Sequence, residues 1–142
     1  MRALLDVNVL IALHDRDHVH HLRAGEWLAS NIAHGWASCP LTQNGCLRIM
    51  GQPAYPHAQP VTLLVGMLQS ATADKHHAFW PDDISILDAT RFHHPHIHST
   101  RQITDLYLLG MAVKHGGRLV SFDLRIPVSA VKGALAKHRV LL

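Results

Sequence analysis

The sequence predicts one α/β domain in which helices cover both faces of a mainly parallel sheet. Short apolar segments with strand character alternate with helix-like segments, which is the pattern of α/β folds. The 142 residues match the length of a single domain, and 48% hydrophobic content is enough for a sizeable core. Strands separated by helices pair in parallel and are buried on both faces. We see no internal repeat or linker, so residues 1–142 are predicted to form one domain.

The elements of the first half follow from apolar runs and the residues that interrupt them. A first apolar strand ends at Asp6, and helices are predicted at 9–13, 20–33, 41–50 and 61–73. Gly35 ends the second helix, residues 36–39 form a short strand, and Pro40 separates it from the third helix. Residues 51–60 are rich in Pro and predict a loop.

The second half continues the alternation. Residues 79–83 predict a turn before a strand at 84–87, and a histidine-dense loop spans 91–99. A long helix is predicted at 104–115, because Gly116 and Gly117 follow it where helices commonly end. Residues 118–122 form the last clear strand, and 128–142 have helical and then extended character.

The charge balance favours a polyanionic partner without demanding one. The formal charge is +3 with histidine neutral, and the isoelectric point is about 9.2. The 14 histidines add positive charge as the pH falls toward their ordinary pKa. Binding to a polyanion is therefore expected to depend on pH.

The amino-terminal segment and the cysteines of the chain indicate a cytoplasmic protein. The apolar segment at the amino terminus is short and interrupted by Asp6, so neither an export signal nor a membrane span fits it. Cys39 and Cys46 lack the Cys-x-x-Cys spacing, and we expect both to be reduced and to fill the core.

Three aspartates are placed where a parallel sheet brings side chains together. Asp6 and Asp123 each follow a predicted strand, and Asp105 lies at the start of the long helix. Ligands of open α/β sheets bind beyond the carboxyl ends of the strands. Mg²⁺ prefers oxygen ligands, and three converging carboxylates would repel one another without a cation. Helix capping is the alternative role for Asp6 and for Asp105.

The motifs that carry these acids resemble those of PIN-domain ribonucleases. They read L-L-D-V-N-V-L at 4–10, I-T-D-L-Y-L at 103–108 and L-V-S-F-D at 119–123. More narrowly, P-L-T-Q-N-G-C-L-R at 40–48 and F-W-P-D-D at 79–83 resemble the VapC toxins of prokaryotic toxin–antitoxin pairs. Each motif is short, but their order and spacing cover nearly the whole chain.

The resemblance implies a three-layer α/β/α sandwich and a Mg²⁺- or Mn²⁺-dependent endoribonuclease. It makes Asp6, Asp105 and Asp123 the first, third and fourth metal-binding and catalytic acids. Asn8 and Thr104 resemble the polar residues that support such ligands. Metal-assisted hydrolysis of the RNA phosphodiester would leave 5′-phosphate and 3′-hydroxyl ends.

The second acid is where the chain departs from the family. PIN domains commonly place a Glu early in the helix predicted at 41–50, whereas this chain offers Gln43 and Asn44. An amide oxygen can ligate a hard cation but brings no charge. Glu26 on the preceding helix is a possible substitute, although pairing along its own helix is another role for it. Arg48 either meets an RNA phosphate or pairs with an acid.

The resemblance also implies partners: a VapB-type antitoxin and a second copy of the chain in a homodimer, without a membrane. An apolar helix face provides a candidate patch, consisting of Leu63, Leu64, Met67 and Leu68. The same residues can instead fill the core.

The motifs also allow other interpretations. One is a PIN-fold RNA- or antitoxin-binding protein whose turnover was lost with the missing glutamate. A phosphatase of the haloacid dehalogenase type is disfavoured, because its motif needs a second acid where this chain has Asn8. The histidine groups at 18–21, 76–77 and 93–98 have spacings that Zn²⁺ or Ni²⁺ accepts, but solvated loops are favoured over metal sites.

Overall fold

A five-stranded parallel sheet forms the centre of the computed structural model, which describes residues 1–123 and 125–142. The strands are β1 (Ala3–Leu5), β2 (Trp36–Ser38), β3 (His77–Phe79), β4 (Arg118–Ser121) and β5 (Arg139–Leu141). Their order across the sheet is β3-β2-β1-β4-β5, and all neighbours are parallel. β1 and β4 are therefore neighbours near the centre of the sheet, and their carboxyl ends lie side by side.

Helices cover the sheet on both sides. They are α1 (Val7–His14), α2 (His21–Asn31), α3 (Pro40–Met50), α4 (Val61–Thr72) and α5 (Ile103–Lys114). Buried side chains of α1 to α4 form one core with Leu5, and those of α5 form a second core with Leu4. Successive strand side chains point to opposite faces, which is why neighbouring residues of β1 enter different cores. The predicted three-layer α/β/α sandwich is confirmed.

The predicted helices are present, with ends shifted by a few residues. Residues 128–142 contain only short 3₁₀ turns, Val128–Ala130 and Ala136–His138, before the extended end becomes β5. Both cysteines, Cys39 and Cys46, are free and buried as expected. Within the described residues, none of the helices is both long and apolar enough to cross a membrane.

The prediction of a strand at 84–87 is wrong, because these residues form no strand in the structure. The strand at this edge is His77–Phe79, which pairs with β2 in the register Trp36↔His77 and fills the position next to it. Ile84 and Ile86 still pack against the second core, but from a loop. Burial of alternate residues in that loop produced a strand-like pattern without a strand.

The candidate apolar patch on α4 is divided by the fold. Leu64 and Leu68 are buried in the first core, and Met67 packs partly against it. Leu63 stays exposed, as does Val61 at the start of the same helix. Core filling is thus the role of half of the predicted patch.

Candidate active site

A cavity of about 590 Å³ opens at the carboxyl edge of the sheet. Four carboxylates line it: Asp6, Asp82, Asp105 and Asp123. Further polar side chains in its lining are Asn8, Asn44, Arg48 and Thr104. The three acids singled out from the sequence therefore share one cavity, and a fourth acid joins them.

Asp6 combines the two roles that the sequence left open. It is the N-cap of α1, where one carboxylate oxygen, Oδ1, accepts a 2.7 Å hydrogen bond from the Val7 backbone N–H. Its side chain also lies in the cavity wall, although the residue is only 6% exposed. Burial raises the pKa of Asp6, against hydrogen bonds to Ser121 and Val7 that favour the charged form.

Ser121 joins the two strand ends that carry acids. Its Oγ donates to Asp6 Oδ2 at 2.9 Å and accepts from the Asp123 backbone N–H at 3.0 Å. One hydroxyl thus fixes Asp6, at the end of β1, relative to Asp123, two residues beyond the end of β4. Sequence reasoning gave this serine no role, although a small hydroxyl residue within the L-V-S-F-D motif was visible.

Asp105 carries the most perturbed carboxyl of the cavity. It lies in the first turn of α5, where the N-terminal end of the helix dipole favours a negative charge. Burial, with repulsion from Asp6 and then Asp123, nevertheless raises the pKa of Asp105 to about 6. The three carboxylates therefore repel one another across the cavity, and a cation placed between them would relieve this repulsion.

Asp123 forms an ion pair with Arg125. The guanidinium donates from Nε to Oδ1 and from Nη2 to Oδ2, each at 3.0 Å, and the Arg125 backbone N–H adds a 2.8 Å bond to Oδ1. These bonds lower the pKa of Asp123. The Arg125 side chain is 73% exposed, so water competes with this ion pair.

The carboxylates share the cavity without forming a closed cage. Across residues 1–123 and 125–142, no three side chains of Asp, Glu, His or Cys are grouped closely enough to hold a metal ion as they stand. Asp6 is occupied by Ser121 and the α1 amide, and Asp123 by Arg125. A metal would have to draw at least one of these carboxylates from its present partner.

Residues 3–132 match the PIN domain family. The chain belongs to this family.

Curated relatives of this PIN-domain chain match it along nearly its full length. It is 49% identical over 142 residues to "Ribonuclease VapC44" of Mycobacterium tuberculosis, covering 100% of both chains. It is 42% identical to "Ribonuclease VapC38" of the same species, over 85% of this chain and 84% of that one. "Ribonuclease VapC39", also of M. tuberculosis, is 37% identical over 94% and 96% of the two chains.

Solved PIN-fold structures match at low sequence identity. The structure of M. tuberculosis VapC20, a sarcin–ricin loop cleaving toxin, has a TM-score of 0.63 at 12% identity and covers 94% and 96% of the chains. A VapBC2 structure from Rickettsia felis, bound to a promoter DNA fragment, has a TM-score of 0.56 at 12% identity over 88% and 90%. These matches establish the likeness of fold.

Helix α3 is where this PIN domain lacks a carboxylate, and the structure separates its two amides. Asn44 is exposed and lines the cavity. Gln43 is not part of the cavity lining, and its amide donates to Ser38 Oγ at 2.9 Å. Glu26 is exposed on α2 and does not line the cavity either. Of the three proposed substitutes, only Asn44 meets the cavity.

Close packing of α3 on α1 holds Asn44 at this position. A Cβ added to Gly45 would lie 2.7 Å from Val7 Cγ2, which is closer than carbon atoms normally approach. Gly45 therefore lets α3 pack directly against the residue that follows Asp6. Arg48, one turn further along α3, is exposed at the cavity and forms no ion pair with the residues that the structure describes.

Asp82 is the cavity residue that sequence reasoning missed. It belongs to the F-W-P-D-D motif at 79–83, for which the sequence pattern indicates no chemical role. The misplaced strand at 84–87 hid its position, since Asp82 follows the true β3 rather than preceding a strand. Like Asp6 and Asp123, it lies beyond the carboxyl end of a strand.

The histidine groups lie outside the cavity lining. The ring of His20 stacks on Phe122 at 4.5 Å between centroids, and His18 lies 5.7 Å from His20. His93 and His96 make an edge contact at 4.0 Å in the loop before α5. These are ring contacts near the surface of the domain.

Proposed function

We propose that this chain is a Mg²⁺- or Mn²⁺-dependent endoribonuclease that acts in the cytoplasm as the toxin of a toxin–antitoxin pair. The observation that carries the proposal is the convergence of Asp6, Asp105 and Asp123 on one cavity of a PIN domain. Relatives up to 49% identical over the whole chain are named ribonucleases and VapC proteins, which supports the reaction class.

The donor set of the cavity fits a hard divalent cation. Its candidate ligands are carboxylate and amide oxygens, which Mg²⁺ and Mn²⁺ prefer. The raised pKa of Asp105 reflects negative charges held close together, and a cation would stabilise their ionised forms. Asp6, Asp105 and Asp123 would hold the ion. Asp123 would release its ion pair with Arg125 to do so.

The chain's own residues define the rest of the reaction. A bound divalent cation would supply polarisation of the phosphate and a more acidic water. Arg48 is placed to bind an RNA phosphate, because it is exposed at the cavity and has no acidic partner in the described part of the chain. Asn8 and Thr104, exposed at the rim, are placed to orient ligands by hydrogen bonds. Water adds to phosphorus and gives up a proton to solvent, the bond from phosphorus to the 3′ oxygen breaks, and that oxygen takes up a proton, which leaves 5′-phosphate and 3′-hydroxyl ends.

We further propose a VapB-type antitoxin and a second copy of the chain as partners. Exposed apolar side chains on α4, Val61 at 55% and Leu63 at 61%, are candidates for a covered surface. The test is sedimentation at tens of micromolar protein, roughly ten or more times the dissociation constant of a micromolar dimer. Finding only monomer there would contradict the homodimer.

An assay on mixed RNA tests the enzymatic proposal. Purified protein is incubated with Mg²⁺, Mn²⁺ or EDTA, and new 5′-phosphate ends are counted. We expect cleavage with either metal, none with EDTA, and none from Asp6→Ala. Asp17→Asn, which removes an exposed acid outside the cavity, serves as a control and should cleave normally. Cleavage that survives EDTA or Asp6→Ala contradicts the proposal.

A second candidate function has one observation in its favour. Asn44 stands at the cavity where a carboxylate is common in PIN domains, so the chain could bind RNA or antitoxin with weak or no turnover. The same assay separates the two functions, since a binding protein retains RNA without producing new ends under any metal.

A further inference from the structure

Asp82 reaches the cavity from an element that carries none of the other acids. Asp6 and Asp123 follow the central strands β1 and β4, and Asp105 starts α5, whereas Asp82 follows the edge strand β3. It lines the same cavity as those three carboxylates and Asn44. The chain therefore brings a fourth negative charge to the cavity by a separate route.

The segment around Asp82 is fixed on both sides. Before it, the Trp80 backbone N–H donates to the Ser38 carbonyl at 2.9 Å, continuing the pairing of β3 with β2. The buried Trp80 ring stacks on His115, with 4.4 Å between centroids and 8° between planes. After it, Asp83 forms an ion pair with Lys114 of α5. Asp82 thus projects from a short, anchored turn.

The surroundings of Asp82 place it between the starts of α3 and α5. The cavity that Asp82 lines is also lined by Leu41 and Asn44 from the first turns of α3 and by Thr104 and Asp105 from the first turn of α5. Burial raises the pKa of the Cys39 thiol, and the nearby charge of Asp82 makes a smaller contribution in the same direction. Cys39 is the N-cap of α3, so Asp82 meets the cavity beside the N-terminal turns of the two helices that line it.

Asp82 also differs from its neighbour in what it binds. Asp83 is held by Lys114, whereas Asp82 forms no ion pair with any described residue. Its side chain is exposed toward the cavity, so turning toward a cation requires breaking no salt bridge. A carboxylate that forms no ion pair with the described residues, at a cavity that already holds three others, increases the attraction for a divalent cation.

We infer that Asp82 supplies the fourth carboxylate of the metal site, directly or through an intervening water, on the side where α3 offers only the amide of Asn44. This inference rests on the proposed function. It assigns the acid missing from α3 to the turn after β3 and gives the F-W-P-D-D motif a chemical role.

The test compares two adjacent acids that differ in their relation to the cavity. Binding of Mn²⁺ alone, without RNA, is measured by calorimetry on the wild type, Asp82→Asn and Asp83→Asn. We expect Asp82→Asn to weaken Mn²⁺ binding about tenfold, the lower end of the effect of losing a supporting group at a metal site. Asp83→Asn, with the same change of charge but a partner in Lys114, should stay within about twofold.

A second variant tests the site itself. Adding Asn44→Asp to Asp82→Asn returns one carboxylate to the cavity wall and should recover most of the Mn²⁺ affinity. Circular dichroism verifies that each variant is folded. The inference is overturned if Asp82→Asn binds Mn²⁺ as tightly as Asp83→Asn, or if both weaken binding equally.

Failure of this inference is distinguishable from failure of the proposed function. If the wild type binds Mn²⁺, Asp6→Asn abolishes binding and Asp82→Asn has no effect, then only the role of Asp82 is wrong. If the wild type does not bind Mn²⁺, or Asp6→Asn binds it normally, both are wrong. Cleavage of RNA gives a second readout, in which Asp82→Asn should need about tenfold more Mg²⁺ for half-maximal rate.

Discussion

Replacing Asp105 with Asn is expected to stabilise the metal-free protein while abolishing metal binding. The pKa of Asp105 rises from 3.8 to about 6, with burial as the largest cause and the charges of Asp6 and Asp123 next. The ionised carboxylate is thus less favourable in the folded than in the unfolded chain. An amide of nearly the same shape removes this penalty.

The sign and size of the expected change in the free energy of unfolding follow from proton linkage. Between pH 3.8 and about 6 the folded protein holds a proton on Asp105 that the unfolded chain has released, so the free energy of unfolding falls as the pH rises through this window. One pKa unit corresponds to about 1.4 kcal/mol, which gives an upper bound of ~3 kcal/mol above pH 6. Because Asp105 is only partly buried, we expect about 1–2 kcal/mol, or a rise in Tm of about 3–7 °C for a domain of this size.

The assay is thermal or urea unfolding of Asp105→Asn and the wild type in EDTA, at pH 7.5 and pH 4. The gain should be present at pH 7.5 and largely absent near pH 4, where the wild-type carboxyl approaches full protonation. Asp123→Asn is a control of opposite sign, since Arg125 lowers the pKa of that carboxyl and the substitution should not stabilise. A variant less stable than the wild type at pH 7.5, or equally stabilised at both pH values, would refute the reasoning.

Three further predictions follow from the contacts around the cavity. Asn44→Glu is expected to lower the Mg²⁺ concentration needed for RNA cleavage, whereas Gln43→Glu is not, because only Asn44 lines the cavity; equal shifts in the Mg²⁺ titration would contradict this. Ser121→Ala should lower the free energy of unfolding by about 1–3 kcal/mol, measured in urea, because a buried carboxylate loses its hydroxyl donor; an unchanged midpoint would count against it. Arg125→Ala should strengthen Mn²⁺ binding by up to about fivefold, the range of an exposed ion pair, because it removes the guanidinium that now holds Asp123. Weaker Mn²⁺ binding of the variant in calorimetry would contradict this.

The sequence predicted the positions of acids that are set by the sheet. Asp6 directly follows β1, and Asp123 lies two residues after the end of β4. The carboxyl ends of these neighbouring parallel strands lie at the same edge of the sheet. Asp105 starts the helix whose buried face forms the second core. Local patterns decide these three placements, so the meeting of the three acids at one cavity follows from the order of strands and helices along the chain.

The remaining features depend on contacts that no local pattern contains. Gln43 and Asn44 are adjacent and chemically alike, and only the packing of α3 on α1 decides which of them meets the cavity. Asp82 was missed because β3 lies seven residues earlier than the predicted strand, at His77–Phe79. Arg125 pairs with Asp123, two positions before it in the chain, and sequence spacing outside a helix or strand predicts no side-chain geometry.

The two sides of the cavity are built on parts of the sheet with unequal protection from solvent. β1 is hydrogen-bonded to a strand on each side and fully buried, so amides near Asp6 should exchange with solvent only through global unfolding. β3 is an edge strand with half-buried and exposed side chains, and the turn that bears Asp82 depends on it. Local opening of this edge would withdraw one carboxylate while the acids on the central strands stayed in place. Hydrogen exchange at residues 77–83 should therefore be faster than at residues 3–6, so the Asp82 side of the cavity is expected to open while the Asp6 side stays closed.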